Sequence, residues 1–369
     1  MDIRRRWGRP GRAARAARLG IGIVGCGQIA PAYLETLHHH PTLAVVGLAD
    51  LVPARAEACA RRYGGRVHPD LEALLADPAV QAVVNLTPPQ AHAEVNRRCL
   101  EAGKHVFSEK PLALTYAEAA ALADLAARQG VHLMAAPITY MGEAQQTAGR
   151  YLREGRLGTV RLVYAESNHG RIETWHPRPQ ALYRIGPIWD MAIYALTVVT
   201  AFLGPVREVQ AWGGWLLPER VDRDGVPFRP EGPDWGVVLL RLAQGAVMRL
   251  SVNYYTRASA QGEAIEFHGD TASLHLGSAY RFDAPVLWGP HDGKLRPVPW
   301  VQRPFAGVDW SRGVADLAEA VLTDRSPCAS LGHVLHVIEV LEAVHRSLGT
   351  AAPVAVTSDF APPLPMPWA

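Results

Sequence analysis

The sequence predicts two joined units: an α/β unit with a doubly wound parallel sheet, and an α+β unit built on a largely antiparallel open sheet. Three observations predict this. Between residues 19 and 138, short apolar runs alternate with helical patterns, as in consecutive βαβ units. The first junction between run and helix is a glycine-rich turn. After about residue 139, strand-like segments follow one another with period-2 alternation and turn residues between them. A chain of 369 residues also exceeds one ordinary hydrophobic core.

Taken in order, Leu19 to Val24 reads as the first strand, followed by Gly25-Cys26-Gly27-Gln28-Ile29-Ala30 and a helix to about His38. The spacing is G-x-G-x-x-A. Gly25 permits the tight turn, Gly27 lets backbone approach a pyrophosphate, and Ala30 allows close packing of helix on strand. In that context the turn is a Rossmann dinucleotide fingerprint, with Gln28 and Ile29 beside the phosphates. A second run, Leu43 to Leu48, ends at Asp50, where a carboxylate meets the ribose hydroxyls of NAD. Leu51 follows and no Arg is adjacent, so NAD is preferred over NADP. Asp50 also suits a helix N-cap before Pro53, and both roles can coexist.

The alternation continues with a helical Leu71 to Leu75, a strand Val80 to Leu86, a helix Ala91 to Ala102 and a strand Lys104 to Phe107. A helix Tyr116 to Arg128 and a strand Val131 to Ala135 complete the unit. Thr87-Pro88-Pro89 ends the strand after the topological switch and should pass close to the dinucleotide. His92 could reach the cofactor or simply satisfy a helix terminus. Ser108-Glu109-Lys110-Pro111 stands at the next strand's carboxyl end, where open α/β sheets bind ligands. By itself, Lys110 could be a surface lysine before a turn.

Composition narrows the function classes. Hydrophobic residues at 49% and charged residues at 20% describe a soluble globular chain, with no evident run of 18 apolar residues. The net charge is +2, yet residues 1–18 hold seven Arg against one Asp, so the remainder is acidic. That leader reads as a disordered extension, and the body offers no argument for nucleic acid or membrane. Cys26, Cys59, Cys99 and Cys328 are scattered without ligand spacing, which predicts a reducing cytoplasmic setting and no metal. His38-His39-His40 reads as a solvated helix end.

Together, Gly25 to Ala30, Thr87-Pro88-Pro89 with His92, and Glu101-Ala102-Gly103-Lys104-His105-Val106-Phe107-Ser108-Glu109-Lys110-Pro111-Leu112 resemble the Gfo/Idh/MocA family, named for glucose-fructose oxidoreductase, inositol dehydrogenase and rhizopine catabolism. The resemblance covers nearly the whole chain after the leader. It implies that Lys110 lies at the nicotinamide and the substrate, with Glu109 nearby, and that Lys110-Pro111 is a cis peptide.

The second unit, residues 139–369, opens with a helix Glu143 to Arg153. Strand-like segments follow at Thr159 to Ser167, Val206 to Trp212, Trp235 to Leu242, Ala246 to Tyr254, Ala264 to Phe267 and Ser273 to Leu276. One sheet face should cover the cofactor cleft, and the other predicts a homodimer or homotetramer. In the helical pattern Pro187 to Leu196, Asp190 and Tyr194 are four apart and share a face. They could be a local core pair. The resemblance implies instead an active-site Asp, with Tyr194 where many members carry His, as in glucose-fructose oxidoreductase. The frequent Asn-x-Arg after the last parallel strand is replaced by Ala136 to Tyr140, leaving Tyr140 as a candidate substrate contact. Trp175-His176-Pro177 suits stacking on a sugar ring or a structural corner. Amphipathic helices, about 313–348, should pack near the domain junction, and the proline-rich tail 361–369 should cross to a neighbour or stay disordered.

Removing a hydride from a secondary alcohol also requires a base for the hydroxyl proton. The reading assigns Tyr194 to the proton, Lys110 to lowering its pKa and holding the substrate oxygen, and Asp190 to orienting Lys110 or a second hydroxyl, with an exchange of roles between Tyr194 and Lys110 left open. An NAD(P)-dependent dehydrogenase of a sugar, polyol or cyclic alcohol is the leading expectation. A redox-neutral glycosidase or epimerase with tightly bound NAD, and a non-catalytic nucleotide-sensing module, are the alternatives.

Overall fold

The structure is a computed structural model that describes residues 17–369; the basic leader lies outside the described residues apart from Ala17 and Arg18. Arg18 Nε donates to the carbonyl of Leu43 at 3.0 Å.

The first unit runs β1 (Leu19–Val24), α1 (Ala30–Leu37), β2 (Leu43–Ala49), α2 (Pro53–Tyr63), β3 (Arg66–Val67), α3 (Leu71–Ala76), β4 (Ala82–Asn85), α4 (His92–Glu101), β5 (His105–Ser108), α5 (Tyr116–Gln129) and β6 (Leu133–Ala135). Its six strands lie in the order β3-β2-β1-β4-β5-β6 and every pairing is parallel. β1, β4 and β5 are fully buried but for one residue, which is why they read as continuous apolar runs rather than alternating ones. Strand order reverses at β1 and β4, so a crevice opens beyond their carboxyl ends, beside that of β5.

The second unit comprises α6 (Glu143–Arg153), β7 (Val160–Asn168), α7 (Pro179–Pro187), α8 (Ile193–Leu203), β8 (Val206–Gly214), β9 (Arg220–Val221), β10 (Pro227–Phe228), β11 (Trp235–Leu242), β12 (Val247–Asn253), β13 (Ile265–Gly269), β14 (Ala272–Leu276), β15 (Val286–Pro290), β16 (Arg296–Pro297), α9 (Arg312–Thr323), α10 (Leu331–Thr350) and β17 (Val354–Ala355). Nine strands form one sheet, β16-β15-β14-β13-β7-β12-β11-β8-β17, antiparallel except for the β7/β12 pair. β9 and β10 make a separate ribbon. The inner face packs on α8 and α10, while Leu162, Trp212, Leu239 and Val247 on the other face are exposed.

Three expectations are corrected. The helix expected from Pro187 to Leu196 is a wide π turn (Ile188–Ala192) leading into α8, entered from α7 through Gly186 at φ 72°. The stretch Pro179–Leu203 is long and apolar enough by composition to cross a membrane, which Arg184, Gly186 and Asp190 obscure in the sequence. Its most apolar window is 94% buried as the spine of the second unit. The proline-rich tail folds back on its own chain: Met366 N–H donates to Gln146 Oε1 at 3.3 Å, and Arg312 sits 6.0 Å from the Trp368 ring.

The carboxyl-terminal helices return to earlier parts of the chain. α9 lies on β1, β5, β6 and α1. Gly313 permits the approach, since a β-carbon there would stand 2.5 Å from the Phe107 ring. Thr36 and Ser311 exchange hydrogen bonds of 3.0 and 3.1 Å across the same contact.

Candidate active site

The glycine turn comes first. Gly25 adopts φ 91°, and a β-carbon on it would lie 2.7 Å from the Leu86 carbonyl carbon, so this position needs glycine on both counts. Gly27 faces open space, with no atom within 4 Å of where a side chain would begin. Among the described residues, the backbone N–H groups of Gly27, Gln28 and Ile29 have no protein acceptor, and α1 starts without a side-chain cap. Unpartnered amides at a helix N-terminus suit a pyrophosphate, so these residues fit a dinucleotide. Asp50 accepts from Cys26 N–H and from Val52 N–H, both at 2.7 Å, tying the end of β2 to the turn. The expectation of no Arg beside it is corrected. Arg55, the third residue of α2, stands 3.9 Å from Asp50 Oδ1, because the helix starting at Pro53 turns that side chain back toward the end of β2; the N-cap of α2 is Val52, not Asp50.

At the end of β5, Glu109 accepts from the Tyr33 hydroxyl at 2.7 Å and from the Lys110 backbone at 2.8 Å. The Lys110-Pro111 peptide is cis, as the resemblance implied, and Ala136-Pro137 is cis as well. Lys110 Nζ crosses the junction to donate to Asp190 Oδ1 at 2.6 Å and to the Asp190 carbonyl at 2.8 Å. The other Asp190 oxygen accepts from the Tyr254 hydroxyl at 2.5 Å. Lys110 also stands 5.1 Å from the Tyr194 ring centroid, and Tyr194 packs at 5.5 Å on Tyr280. Lys110, Asp190 and Tyr194 thus meet at one point, though Asp190 and Tyr194 are not hydrogen-bonded to each other.

Charge in this group follows from its burial. Burial works to lower the Lys110 pKa, but Asp190, Tyr194 and Glu109 outweigh it and hold the ammonium above its ordinary value. Burial works to raise Asp190, and Lys110 and Tyr254 outweigh it, so its carboxyl lies below the usual range. For Tyr194 burial wins: its pKa is raised, with Lys110 opposing and Glu109 and Asp190 adding to the rise. Lys110 does pull the phenol down as expected, but burial outweighs it, so the expected net lowering is corrected. The lysine's charge is committed to Asp190, and the phenol stays protonated through the neutral range.

The remaining candidates separate. His92 bridges two motifs, with Nε2 2.7 Å from the Thr87 carbonyl and Nδ1 2.6 Å from that of Pro111. Burial pushes its pKa down against those two carbonyls. Thr87 donates its hydroxyl to Asn85 Oδ1 at 2.6 Å, and Pro88 is exposed at the rim. Trp175 is exposed and packs edge-on against His176 at 5.4 Å and His169 at 5.8 Å. Burial lowers His176, whose Nδ1 accepts from Arg178 N–H at 3.0 Å. Tyr140 does not join the group around Lys110. It is buried edge-on to His333 at 5.7 Å and lines a small internal cavity with Leu112, Ile193 and Thr197.

Residues 19–136 match the oxidoreductase family with NAD-binding Rossmann fold, and residues 145–275 match the GFO/IDH/MocA C-terminal domain. A dTDP-3,4-didehydro-2,6-dideoxy-alpha-D-glucose 3-reductase of Actinomadura kijaniata is 30% identical over 85% of this chain and 91% of its own. The chain belongs to the Gfo/Idh/MocA family of oxidoreductases. A levoglucosan dehydrogenase solved with NADH and L-sorbose shares the fold at TM-score 0.80, with 22% identity over 92% of this chain and 99% of that one. A 3-ketoreductase from Actinomadura kijaniata, solved with NADP and TDP-benzene, is 25% identical at TM-score 0.72, covering 89% of this chain and 98% of that one.

Within this Gfo/Idh/MocA chain, sequence reasoning missed Tyr254, Tyr33, His169 and Tyr280. Tyr254 and Tyr33 are fully buried tyrosines whose hydroxyls each engage a site carboxylate. The available signal was chemical, because a buried phenol needs a hydrogen-bond partner.

Proposed function

We propose that this oxidoreductase transfers a hydride between NAD(P) and a secondary alcohol of a sugar, polyol or related cyclic alcohol. The observation that carries this is the 2.6 Å contact between Lys110 and Asp190 beside Tyr194, at the carboxyl end of a strand two places from the glycine turn. When bound, the nicotinamide accepts or delivers the hydride. Gly27, Gln28 and Ile29 would hold the pyrophosphate on their free amides, and Asp50 would meet the ribose hydroxyls. Lys110, fixed by Asp190, donates to the substrate oxygen and stabilises negative charge on it. Tyr194, held as a phenol, gives its proton to that oxygen in ketone reduction; in alcohol oxidation it first loses its proton to solvent, and the phenolate then takes the hydroxyl proton. Tyr254 keeps Asp190 oriented, and Trp175 with His176 borders the substrate.

NAD is the preferred cofactor in this reading because Asp50 opposes a 2′-phosphate, while the nearby Arg55 makes the preference modest. The exposed sheet face bearing Leu162, Trp212, Leu239 and Val247 pairs two or four copies, and solution mass tests that. Four free cysteines support a cytoplasmic setting. The decisive experiment is a screen of sugars, inositols and their keto forms with NAD and NADP, read by nicotinamide absorbance. Turnover of at least one carbohydrate-like alcohol or ketone is expected. No absorbance change with any of them would reject the reading.

A further inference from the structure

The mouth of the site carries a charge pattern that hydride transfer does not require. β7 and β12 are the parallel pair of the second sheet, with Asn168 opposite Asn253, so the loops after them leave at the same end. That end carries Asp190 and Tyr254. The first loop holds His169, Arg171, Trp175 and Arg178; the second holds Tyr255 and Arg257. They touch: the Arg171 guanidinium lies 5.0 Å from the Tyr255 ring centroid, and a side chain on Gly170 would begin 3.1 Å from the Arg257 β-carbon.

Arg171, Arg178 and Arg257 are exposed, and none forms an ion pair among the described residues. The carboxylates around them are already engaged. Glu263 faces His169 at 3.6 Å, and buried Glu173 holds Arg220 at 2.7 Å and the Tyr183 hydroxyl. Asp190 is shared by Lys110 and Tyr254. Three guanidinium groups without a carboxylate partner therefore stand beside two exposed aromatic side chains, Trp175 and Tyr255, at 45% and 43% exposure, with Arg171 over one face of Tyr255. The path inward is short. His169 lies 6.1 Å from the Tyr254 ring, and Arg257 electrostatically opposes the raised pKa of Tyr280, which packs on Tyr194.

Planar guanidinium groups bind carboxylate and phosphate through paired N–H donors, and exposed aromatic faces stack on sugar rings or bases. A neutral sugar would offer the arginines only uncharged hydroxyl acceptors, whereas a carboxylate or phosphate accepts paired, charge-assisted bonds. We propose that these two loops form an anion-recognition subsite, in which Arg171 and Arg257 take a carboxylate or phosphate group carried by the sugar, with Arg178 at its outer edge. This deepens the dehydrogenase reading and rests on it.

The test is binding to the cofactor-loaded protein, followed by calorimetry, of D-glucuronate, glucose 6-phosphate and UDP-glucose against D-glucose. At least one anionic sugar is expected to bind about tenfold or more tighter than glucose, the weight of one charge-assisted hydrogen bond. Which of the three does so distinguishes a sugar acid, a sugar phosphate and a nucleotide sugar. The double variant Arg171→Gln/Arg257→Gln should lose that preference with cofactor binding unchanged, and added salt should weaken the anion but not glucose. Glucose binding as tightly as all three anions, no binding by any anion, or a double variant that keeps the preference would each overturn the subsite. Nicotinamide absorbance recorded on the same samples tests the hydride-transfer reading separately.

Discussion

Replacing Lys110 by methionine removes the cation from a pair whose side chains are only 12% and 11% exposed. Asp190 then keeps one partner, the Tyr254 hydroxyl, and becomes a buried carboxylate without a counter-charge. Breaking such a pair from one side costs about 3–5 kcal/mol, and the open cleft beside it favours the lower end. For a chain of this length unfolding as one unit, about 3 kcal/mol corresponds to roughly 4 °C in Tm. The sign with pH follows from Asp190. In the wild type its pKa is lowered by Lys110; without Lys110, burial raises it instead. The deficit should be full at neutral pH and shrink as acidification protonates the stranded carboxyl. The double variant Lys110→Met/Asp190→Asn should regain most of the stability at neutral pH, yet remain at least about 10²-fold slower than wild type in turnover. Thermal denaturation across pH, with steady-state rates on the same preparations, checks all of this. A single variant as stable as wild type, or a double variant no more stable than the single one, would refute the electrostatic account of the pair.

Tyr194→Phe should lower turnover by about 10² or more while leaving NADH binding intact, measured by single-turnover kinetics and fluorescence titration. Because the Tyr194 pKa is raised, alcohol oxidation by the wild type should accelerate toward alkaline pH while ketone reduction stays flat through neutrality; a bell centred near neutrality in both directions would contradict this. Arg55→Ala should weaken NADP about tenfold and leave NAD within about twofold, read from KM for each cofactor. Burial holds His333 down at about 3 and His336 at about 4, against an unfolded value near 6.5. Their stabilising contribution is therefore complete above about 6.5 and is lost as pH falls toward those lower values. Tm should decline between pH 7 and pH 5, and His336→Gln should flatten that decline.

The parallel unit was legible because its cues are local. Gly25, Gly27 and Asp50 sit at fixed offsets from strands whose burial on both faces makes them continuous apolar runs. Lys110 and Asp190 were legible too, one from its place after a strand and the other from standing as a charge in an apolar helix. The local pairing of Asp190 with Tyr194 that four-residue spacing suggests does not form, because the π turn at Ile188–Ala192 breaks the α-helical register which that spacing assumes. Asp190 consequently reaches Lys110 and Tyr254 instead of Tyr194. Tyr254 was invisible for a related reason. It follows a strand whose alternate residues are buried, where a tyrosine reads as core, and only the fold brings it to a carboxylate 64 residues earlier in the chain. Short edge strands such as β16 and β17, each of two residues, carry no periodicity to detect.

The contact between α9 and the first sheet has a consequence for how the chain is made. β6 ends at Ala135, but the helix that covers β1, β5 and β6 ends only at Thr323. At ordinary synthesis rates the intervening residues take on the order of ten to forty seconds to emerge from the ribosome. Throughout that interval Phe107 and Ile138 lack Gly313, the residue that closes over them. The nascent nucleotide-binding unit therefore waits with an apolar strip open to solvent, available to chaperones or to a neighbouring nascent chain. A fragment stopped after β6 would keep the dinucleotide fingerprint and still expose that strip permanently, so it should aggregate unless α9 is supplied.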